Sequence, residues 1–381
     1  LLVHDTAVLR QRAGELRRVL PAGSQLLYSL KANPLPPVVA VLQESGCGTE
    51  VSSPAELAIA VQTAAGSPIL YTGPGKSAAE IAAAAAAGVL LSCESAVELS
   101  RALDARVRPL RMLLRVQPPR RPVAGLSMAD GRQFGLLPDE AVELGRRRDL
   151  ELLGVHCYLG SQLPGWQALL AGFELAAEAA RRVAEASGMP LRILNLGGGF
   201  PWPYAAPGTG PDLGPLADGL DELVRPLQRQ GTEIWFEAGR SLVAPAGRLL
   251  TTVLDIKPRA GGCLVVVDAG VNILGGMSGL GRVLRPSTVF RNLSAPDGEP
   301  RPVTVVGPLC TPLDRMSVNT TLAEPRVGDL LCVDNVGGYA STAALSAFLS
   351  RPAAIELITD ADQVLQAWAL NTGHVQLAAG R

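Results

Sequence analysis

The chain has 381 residues, which at roughly 150 residues per domain predicts two or three domains around a sizeable core. Its 48% hydrophobic and 18% charged residues describe a folded globular chain, and a formal net charge of -1 lacks the electrostatic footprint of a nucleic-acid binder. The longest apolar run, residues 81–91, falls short of the roughly 20 residues of a membrane-spanning helix, so neither nucleic acid nor membrane is expected as a partner.

In chain order, short leucine-rich or β-branched runs alternate with alanine-rich helical stretches from about Gln25 to Glu237. The runs at 26–30, 47–51, 68–71, 89–92, 110–116, 151–157, 192–196 and 233–236 predict eight strands. Helices are predicted between them, among others at 78–87, 94–103, 138–147, 166–186 and 212–230. Eight such units match an α/β fold of the TIM-like (β/α)8 barrel type. An open doubly wound sheet would want a glycine fingerprint after its first strand, and Lys31-Ala32-Asn33-Pro34 stands there instead. After about Pro245 the runs at 248–257, 263–268, 302–306 and 330–334, separated by Gly/Pro-rich turns, predict a separate β domain. The glycine-rich stretch 274–284 predicts a loop.

Six cysteines, at 47, 93, 157, 263, 310 and 332, form no CxxC pair. Neither zinc-ligand spacing nor a disulfide framework is expected, and a reducing cytoplasm fits. No basic region followed by an apolar segment opens the chain, so no targeting segment is expected. Of the 34 basic residues only Lys31, Lys76 and Lys257 are lysines. Such a chain keeps a lysine by chance of codon usage, or for a role needing an amine that can lose its proton.

In a barrel the working residues sit at the C-terminal ends of the strands. Here those ends carry Lys31, Glu50, Arg115, His156 with Ser161, the glycines 197–199, and Glu237 with Arg240. Singly, each has a plain reading as a surface cation, a flexible turn or a salt bridge. Together they point to one ligand that wants an amine, a glycine cradle, an arginine and a carboxylate. Bare main-chain N–H groups with a serine and an arginine complement a phosphate dianion. A deprotonated lysine forms a Schiff base with an aldehyde. A carboxylate keeps a pyridine nitrogen protonated and deepens an electron sink. These features describe pyridoxal 5'-phosphate. A sugar-phosphate barrel would use the glycines and arginine but leave Lys31 and Glu237 unexplained.

Six segments in order, 28–34 (YSLKANP), 154–162 (GVHCYLGSQ), 195–201 (NLGGGFP), 236–243 (FEAGRSLV), 307–314 (GPLCTPLD) and 328–339 (GDLLCVDNVGGY), span nearly the whole chain. They resemble the motifs of fold-type III pyridoxal-phosphate decarboxylases, the diaminopimelate and ornithine decarboxylase superfamily. The resemblance implies a (β/α)8 barrel over 12–244 and a C-terminal β-sandwich or β-barrel domain formed by 1–11 and 245–381, which takes in the N-terminal strand, so that Leu1 to about Val8 joins the C-terminal half. It implies a head-to-tail homodimer with shared active sites. It implies Lys31 as the lysine that carries the cofactor and Glu237 facing the pyridine nitrogen. Ser161, Gly198, Gly199, Arg240 and Tyr339 would hold the phosphate, with Glu50, Arg115 and His156 near the ring. His156 has a structural or a catalytic reading there. Cys310 of the partner subunit would reprotonate the substrate carbon, a free thiol of pKa about 8.5 carrying its proton at neutral pH. Taken alone, Cys310 reads as an ordinary buried cysteine.

The sequence departs from the superfamily's best-known members in three places, one of them 346–352 (SAFLSRP), which differs from the Asn-rich tail of the lysine-pathway enzymes. Diaminopimelate decarboxylases show a second histidine, stacked on the ring, where this chain has Tyr158, whose ring can still stack. After the cysteine they carry a Glu, and ornithine decarboxylases an Asp, that reads the distal end of the substrate. Here Thr311 stands in that place, with Asp314 three residues on, and these two are the candidate substrate-binding residues. A distal cation would lose its direct partner, and an unpaired buried ammonium is costly. The spellings CTPLD (310–314) and FLSRP (348–352) look more like the specialised-metabolism branch, which acts on carrier-protein-linked amino acids or on citrate-conjugated diamino acids of siderophore pathways.

The expected activity is therefore removal of the α-carboxylate from a modified, conjugated or carrier-linked amino acid in a biosynthetic pathway. The alternatives are a diaminopimelate decarboxylase of lysine biosynthesis, a racemase or epimerase, and a non-catalytic homologue. Alanine racemases use an arginine at the pyridine nitrogen, and retained Lys31, Glu237 and Cys310 speak against an inactive protein. The loops at 126–133 and 275–281 are expected to shape the substrate pocket. His4 and His374 read as surface or terminal residues, Lys76 as a loop lysine without chemistry, and no metal site is indicated.

Overall fold

The chain opens with a short strand, β1 (Leu2–Asp5), and then builds eight strands that close on one another. The computed structural model describes residues 1–63, 66–104, 110–118, 133–275, 287–361 and 363–371. The eight barrel strands are β2 (Gln25–Ser29), β3 (Gly48–Val51), β4 (Ile69–Tyr71), β5 (Leu90–Cys93), β6 (Arg111–Val116), β7 (Glu151–Cys157), β8 (Ile193–Asn195) and β9 (Glu233–Ala238). All neighbouring pairs are parallel, and β2 closes the ring on β9 with Gln25 opposite Trp235. The eight strands predicted from the sequence are these eight.

Beyond the barrel follow β10 (Gly247–Arg259), β11 (Gly262–Val267), β12 (Arg291–Asn292), β13 (Pro300–Val306), β14 (Arg315–Ala323), β15 (Leu330–Asp334), β16 (Ile355–Asp360) and β17 (Gln363–Ala369). They form a mixed sheet in the order β14-β13-β11-β10-β1-β16-β17, with β15 also on β10 and β12 on β15. The N-terminal strand sits inside this sheet, antiparallel to β10 and parallel to β16. By compactness the chain divides into one unit of Leu1–Leu9, Pro203–Thr209 and Val243–Arg381 and another of Arg10–Trp202 and Gly210–Leu242.

Each unit has its own apolar centre. In the β unit, residues such as Leu249, Val265, Val303, Met316 and Val333 are buried together. In the barrel, Leu27, Leu70, Leu90, Leu113, Leu153, Ile193 and Trp235 form one layer, a packed core rather than a pore. The β3 position opposite Leu27 is Gly48, where a Cβ would come within 2.5 Å of Leu27 Cδ2.

The first strand is short. It ends at Asp5, and a helix runs over Thr6–Val19, because the Asp5 carboxylate accepts the main-chain N–H of Ala7 (2.8 Å) and caps the first turn. Helices Pro36–Glu44 and Pro54–Thr63 and strands β14, β16 and β17 are further elements that the sequence pattern did not single out. Two residues, one read as surface or terminal and one as a loop lysine without chemistry, are buried. His4 Nε2 lies 2.8 Å from Glu356 Oε2 within the β sheet, and Lys76 is enclosed in the barrel unit. His374 lies outside the described residues. Among the described residues no helix is long and apolar enough to cross a membrane, and no group of His, Cys, Asp and Glu could hold a metal ion.

Candidate functional site

Side chains of a strand alternate faces, so the next inward-facing position lies two residues along. Two residues beyond the apolar layer the chain turns polar on strand after strand: Ser29, Glu50, Thr72, Ser92, Arg115, Asn195 and Glu237. On β7 the step from Leu153 is three residues, to His156. The pairing of β6 with β7 jumps there from Leu152 to Gly154, and the jump brings His156 into register with Arg115 and Asn195. A polar layer thus lies directly above the apolar one, toward the C-terminal ends of the strands.

Its groups interlock. Lys31 stands on the 3-10 turn Leu30–Ala32 that follows β2, between buried Leu30 and Ala32. Its Nζ is 3.4 Å from Glu50 Oε1 and 5.7 Å from the centre of the Tyr158 ring. Glu50 also accepts from Thr72, and its Oε2 is buried without a hydrogen-bond partner. Asn195 Nδ2 donates to Glu237 Oε1 at 2.8 Å, while Asn195 Oδ1 accepts the N–H of Gly197. His156 Nε2 lies 3.1 Å from the same Glu237 oxygen but is not aligned for a hydrogen bond, and its Nδ1 is 2.7 Å from Ser92 Oγ. Arg115 is paired with Glu94 at 2.6 Å, and its guanidinium lies 5.8 Å from the Tyr158 ring. Tyr158 shares a hydrogen bond with Ser161.

The glycines at 197–199 are there because main chain passes close by. Gly197 has φ +74°, and a Cβ on it would lie 2.4 Å from the Cys157 carbonyl oxygen. One on Gly198 would lie 2.5 Å from that of Glu237. The Gly199 carbonyl accepts the N–H of Leu163, so the turns after β7 and β8 run side by side. Arg240 opens the helical turn Arg240–Val243 just after β9.

Burial by itself raises the Glu50 carboxyl, but the Lys31 charge, hydrogen bonds from Ser29 and Thr72 and the nearby His156 outweigh it and hold the group well below the usual carboxylate range. A carboxyl whose folded pKa lies below its unfolded value of about 4.3 stabilises the fold above that pH, and the contribution is lost as pH falls toward the folded value. Without cofactor, the melting temperature should therefore drop more steeply below about pH 4.3 in the parent than in Glu50→Gln. Equal slopes would contradict this. The thiols of Cys47, Cys93 and Cys157 are each pushed up to about 12, chiefly by burial, which leaves them inert.

The remaining candidates belong to the β unit. Cys310 is exposed, not buried as it reads in isolation. Thr311 follows it, its Oγ1 accepting the N–H of Leu313. Asp314, expected at the substrate, is only 2% exposed; Oδ1 accepts from Val271 N and Oδ2 from Leu309 N, both inside its own unit. Tyr339 has a left-handed φ of 59°, and its carbonyl accepts from the Tyr204 hydroxyl. The loop stretches 126–133 and 275–281 lie outside the described residues except for Gln133 and Gly275. The sequence reading missed Ser29, Thr72, Ser92, Glu94 and Asn195. Their signal is a polar residue at or just past the end of a largely apolar strand.

An amine beside a buried carboxylate, an imidazole with an unpartnered buried nitrogen, a second carboxylate held by an amide and a glycine turn of bare main chain are a donor set that fits pyridoxal phosphate. Residues 6–244 match the pyridoxal-binding domain of the pyridoxal-dependent decarboxylases. The chain belongs to that family.

This decarboxylase is 27% identical over 374 residues to the L-glutamyl-(BtrI acyl-carrier protein) decarboxylase of Niallia circulans, covering 93% of this chain and 87% of the relative. It is 31% identical over 371 residues to a diaminopimelate decarboxylase of Deinococcus radiodurans, covering 94% and 89%. Among solved structures, diaminopimelate decarboxylase from Helicobacter pylori complexed with L-lysine superposes with a TM-score of 0.81 at 27% identity, covering 96% of this chain and 92% of the other. The chain is a pyridoxal-phosphate-dependent amino-acid decarboxylase, and its cofactor-binding domain is the barrel.

Proposed function

We propose that this decarboxylase removes the α-carboxylate of an amino acid whose distal end is conjugated or carrier-linked rather than a free ammonium. The observation that carries the reading is the loop from Gly307 to Asp314. Where a distal ammonium would want a carboxylate stands Thr311. The nearby Asp314 has both oxygens committed to main-chain N–H groups, and burial, against those hydrogen bonds, raises its pKa. The carrier-linked substrate named for the Niallia circulans relative supports the same reading. The six cysteines, all free thiols, support a reducing compartment such as the cytoplasm.

The roles proposed for the residues are those the family resemblance implies, and the clustering of the barrel residues at the strand ends supports them. Lys31, on its turn at the barrel mouth, holds the cofactor, and Glu237, fixed by Asn195, holds a proton at the ring nitrogen. Ser161, Gly198, Gly199 and Arg240 hold the phosphate, while Glu50, Arg115, His156 and Tyr158 orient the ring. When bound, pyridoxal phosphate supplies an aldehyde that takes amines covalently and a conjugated ring that accepts the electrons left as carbon dioxide departs. We extend the reading to a homodimer in which the exposed Cys310 of the partner subunit returns a proton to the substrate carbon.

Thr311→Glu tests the substrate reading. A carboxylate there should raise kcat/KM for free meso-diaminopimelate by about 10- to 100-fold, as expected of one charge-assisted hydrogen bond. It should lower kcat/KM for citryl- or carrier-linked amino acids. An unchanged ratio between the two substrate kinds would sink the proposal.

A further inference from the structure

Lys76, in the turn after β4, is not a surface residue. Its side chain is 3% exposed, beside a Glu98 that is 4% exposed. The ammonium donates to the carbonyl oxygens of Gly73 (2.6 Å) and Ser92 (2.7 Å) and lies 3.4 Å from both oxygens of Glu98. Glu98 in turn accepts the main-chain N–H of Lys76 at 3.1 Å and of Glu94 at 2.8 Å. In the sequence, Ser95 and Glu98 have the spacing of a capping box, and Ser95 Oγ does accept the N–H of Glu98. The Glu98 side chain reaches one residue further back than the box requires, to Glu94.

The pair therefore grips the segment Ser92-Cys93-Glu94 at both ends, by a carbonyl at one and an N–H at the other. From that same segment two side chains enter the site. Ser92 Oγ meets His156 Nδ1, and Glu94 Oε1 meets Arg115 while Glu94 Oε2 accepts the N–H of Gly135. A compact ammonium serves acceptors arriving from several directions, which a planar guanidinium cannot do in the same space. That is a physical reason for this arginine-rich chain to keep a lysine here.

We infer that the buried Lys76–Glu98 pair is a positioning device for the cofactor site, fixing the end of β5 so that Ser92 orients the His156 ring and Glu94 orients the Arg115 guanidinium. The inference rests on the placing of His156 and Arg115 at the cofactor and is independent of the substrate. A pair serving stability alone is replaceable by apolar side chains of similar volume without consequence elsewhere. A positioning pair is not, because an apolar side chain holds neither the Ser92 carbonyl nor the Glu94 N–H.

The test uses Glu98→Gln, Lys76→Arg and the apolar double variant Lys76→Met/Glu98→Leu, each stripped of cofactor and titrated with pyridoxal phosphate. Melting temperature without cofactor, Kd, the absorption spectrum of the bound cofactor and the split between kcat and KM are read together. The expected result is a cooperative melt for Glu98→Gln and the double variant, with Kd raised about 10- to 100-fold, the range of a misplacement transmitted from a distance. A shifted spectrum and a lowered kcat should accompany it. Parental Kd, spectrum and kcat in the variants that fold would overturn the inference. So would loss of the cooperative melt in all three, which assigns the pair to folding. His156→Ala and Arg115→Ala run alongside, and parental cofactor binding in both would show that the placing of these residues fails, and the inference with it.

Discussion

Lys31→Ala lowers carbon dioxide release by on the order of 10⁴-fold and abolishes covalent retention of pyridoxal phosphate after borohydride reduction. The expectation follows from where the three lysines stand. Lys76 is enclosed by its own partners, and Lys257 lies on β10 of the β unit. Lys31 alone of the three follows a barrel strand with a side chain 41% exposed. Its turn is held on both sides: the Tyr28 hydroxyl donates to the Asn33 carbonyl at 2.7 Å, and Asn33 Oδ1 accepts the N–H of Leu35 at 3.0 Å. The amine is thus presented on a rigid base, with Glu50 beside it as counter-ion and hydrogen-bond acceptor. Peptide mass mapping of the reduced protein checks this directly. Retention of the label in Lys31→Ala at another lysine would contradict the assignment.

Cys310→Ala should cost about 10²- to 10⁴-fold in kcat, the range for a lost proton donor, with cofactor binding unchanged. The loop that carries the thiol is built to display it. Asp314 ties the base of the loop to Val271 and Leu309, leaving Cys310 exposed. Because the proposed donor comes from the second copy, mixing Lys31→Ala with Cys310→Ala subunits should recover activity. Random pairing leaves one intact site in half of the dimers, hence about a quarter of parental turnover. Recovery no greater than the sum of the two inactive parents would place the proton donor within the same chain or remove the dimer from the account.

Much of the fold was legible because its signal is local. Most barrel strands are short apolar runs of their own, and the bounds of β7 are those the sequence predicts. β17 was not legible because every one of its residues is exposed, so no alternation of buried and open positions marks it. β14 was hidden by its run of Ser317, Asn319, Thr320 and Thr321, which breaks the apolar pattern. The site was legible where chemistry concentrates charge or glycine, as at Lys31, Glu237 and the 197–199 turn. It was not legible where a residue matters through what the fold brings to it. Lys76 looks like a loop lysine until the Ser92 carbonyl arrives from the next strand, and His4 looks terminal until Glu356 arrives from the far end of the chain. Asp314 shows the converse: a carboxylate near the expected place in sequence, turned inward by two main-chain N–H groups that no spacing rule reveals.

Carbon dioxide release and product mass for the cofactor-loaded protein decide which class of substrate the enzyme takes. The panel sets free meso-diaminopimelate, ornithine, lysine, arginine and glutamate beside citryl- and carrier-linked amino acids. Turnover should be confined to the conjugated substrates, each product lighter by one carbon dioxide. Efficient turnover of free meso-diaminopimelate would contradict it, because a distal ammonium would then be accommodated without a carboxylate at Thr311.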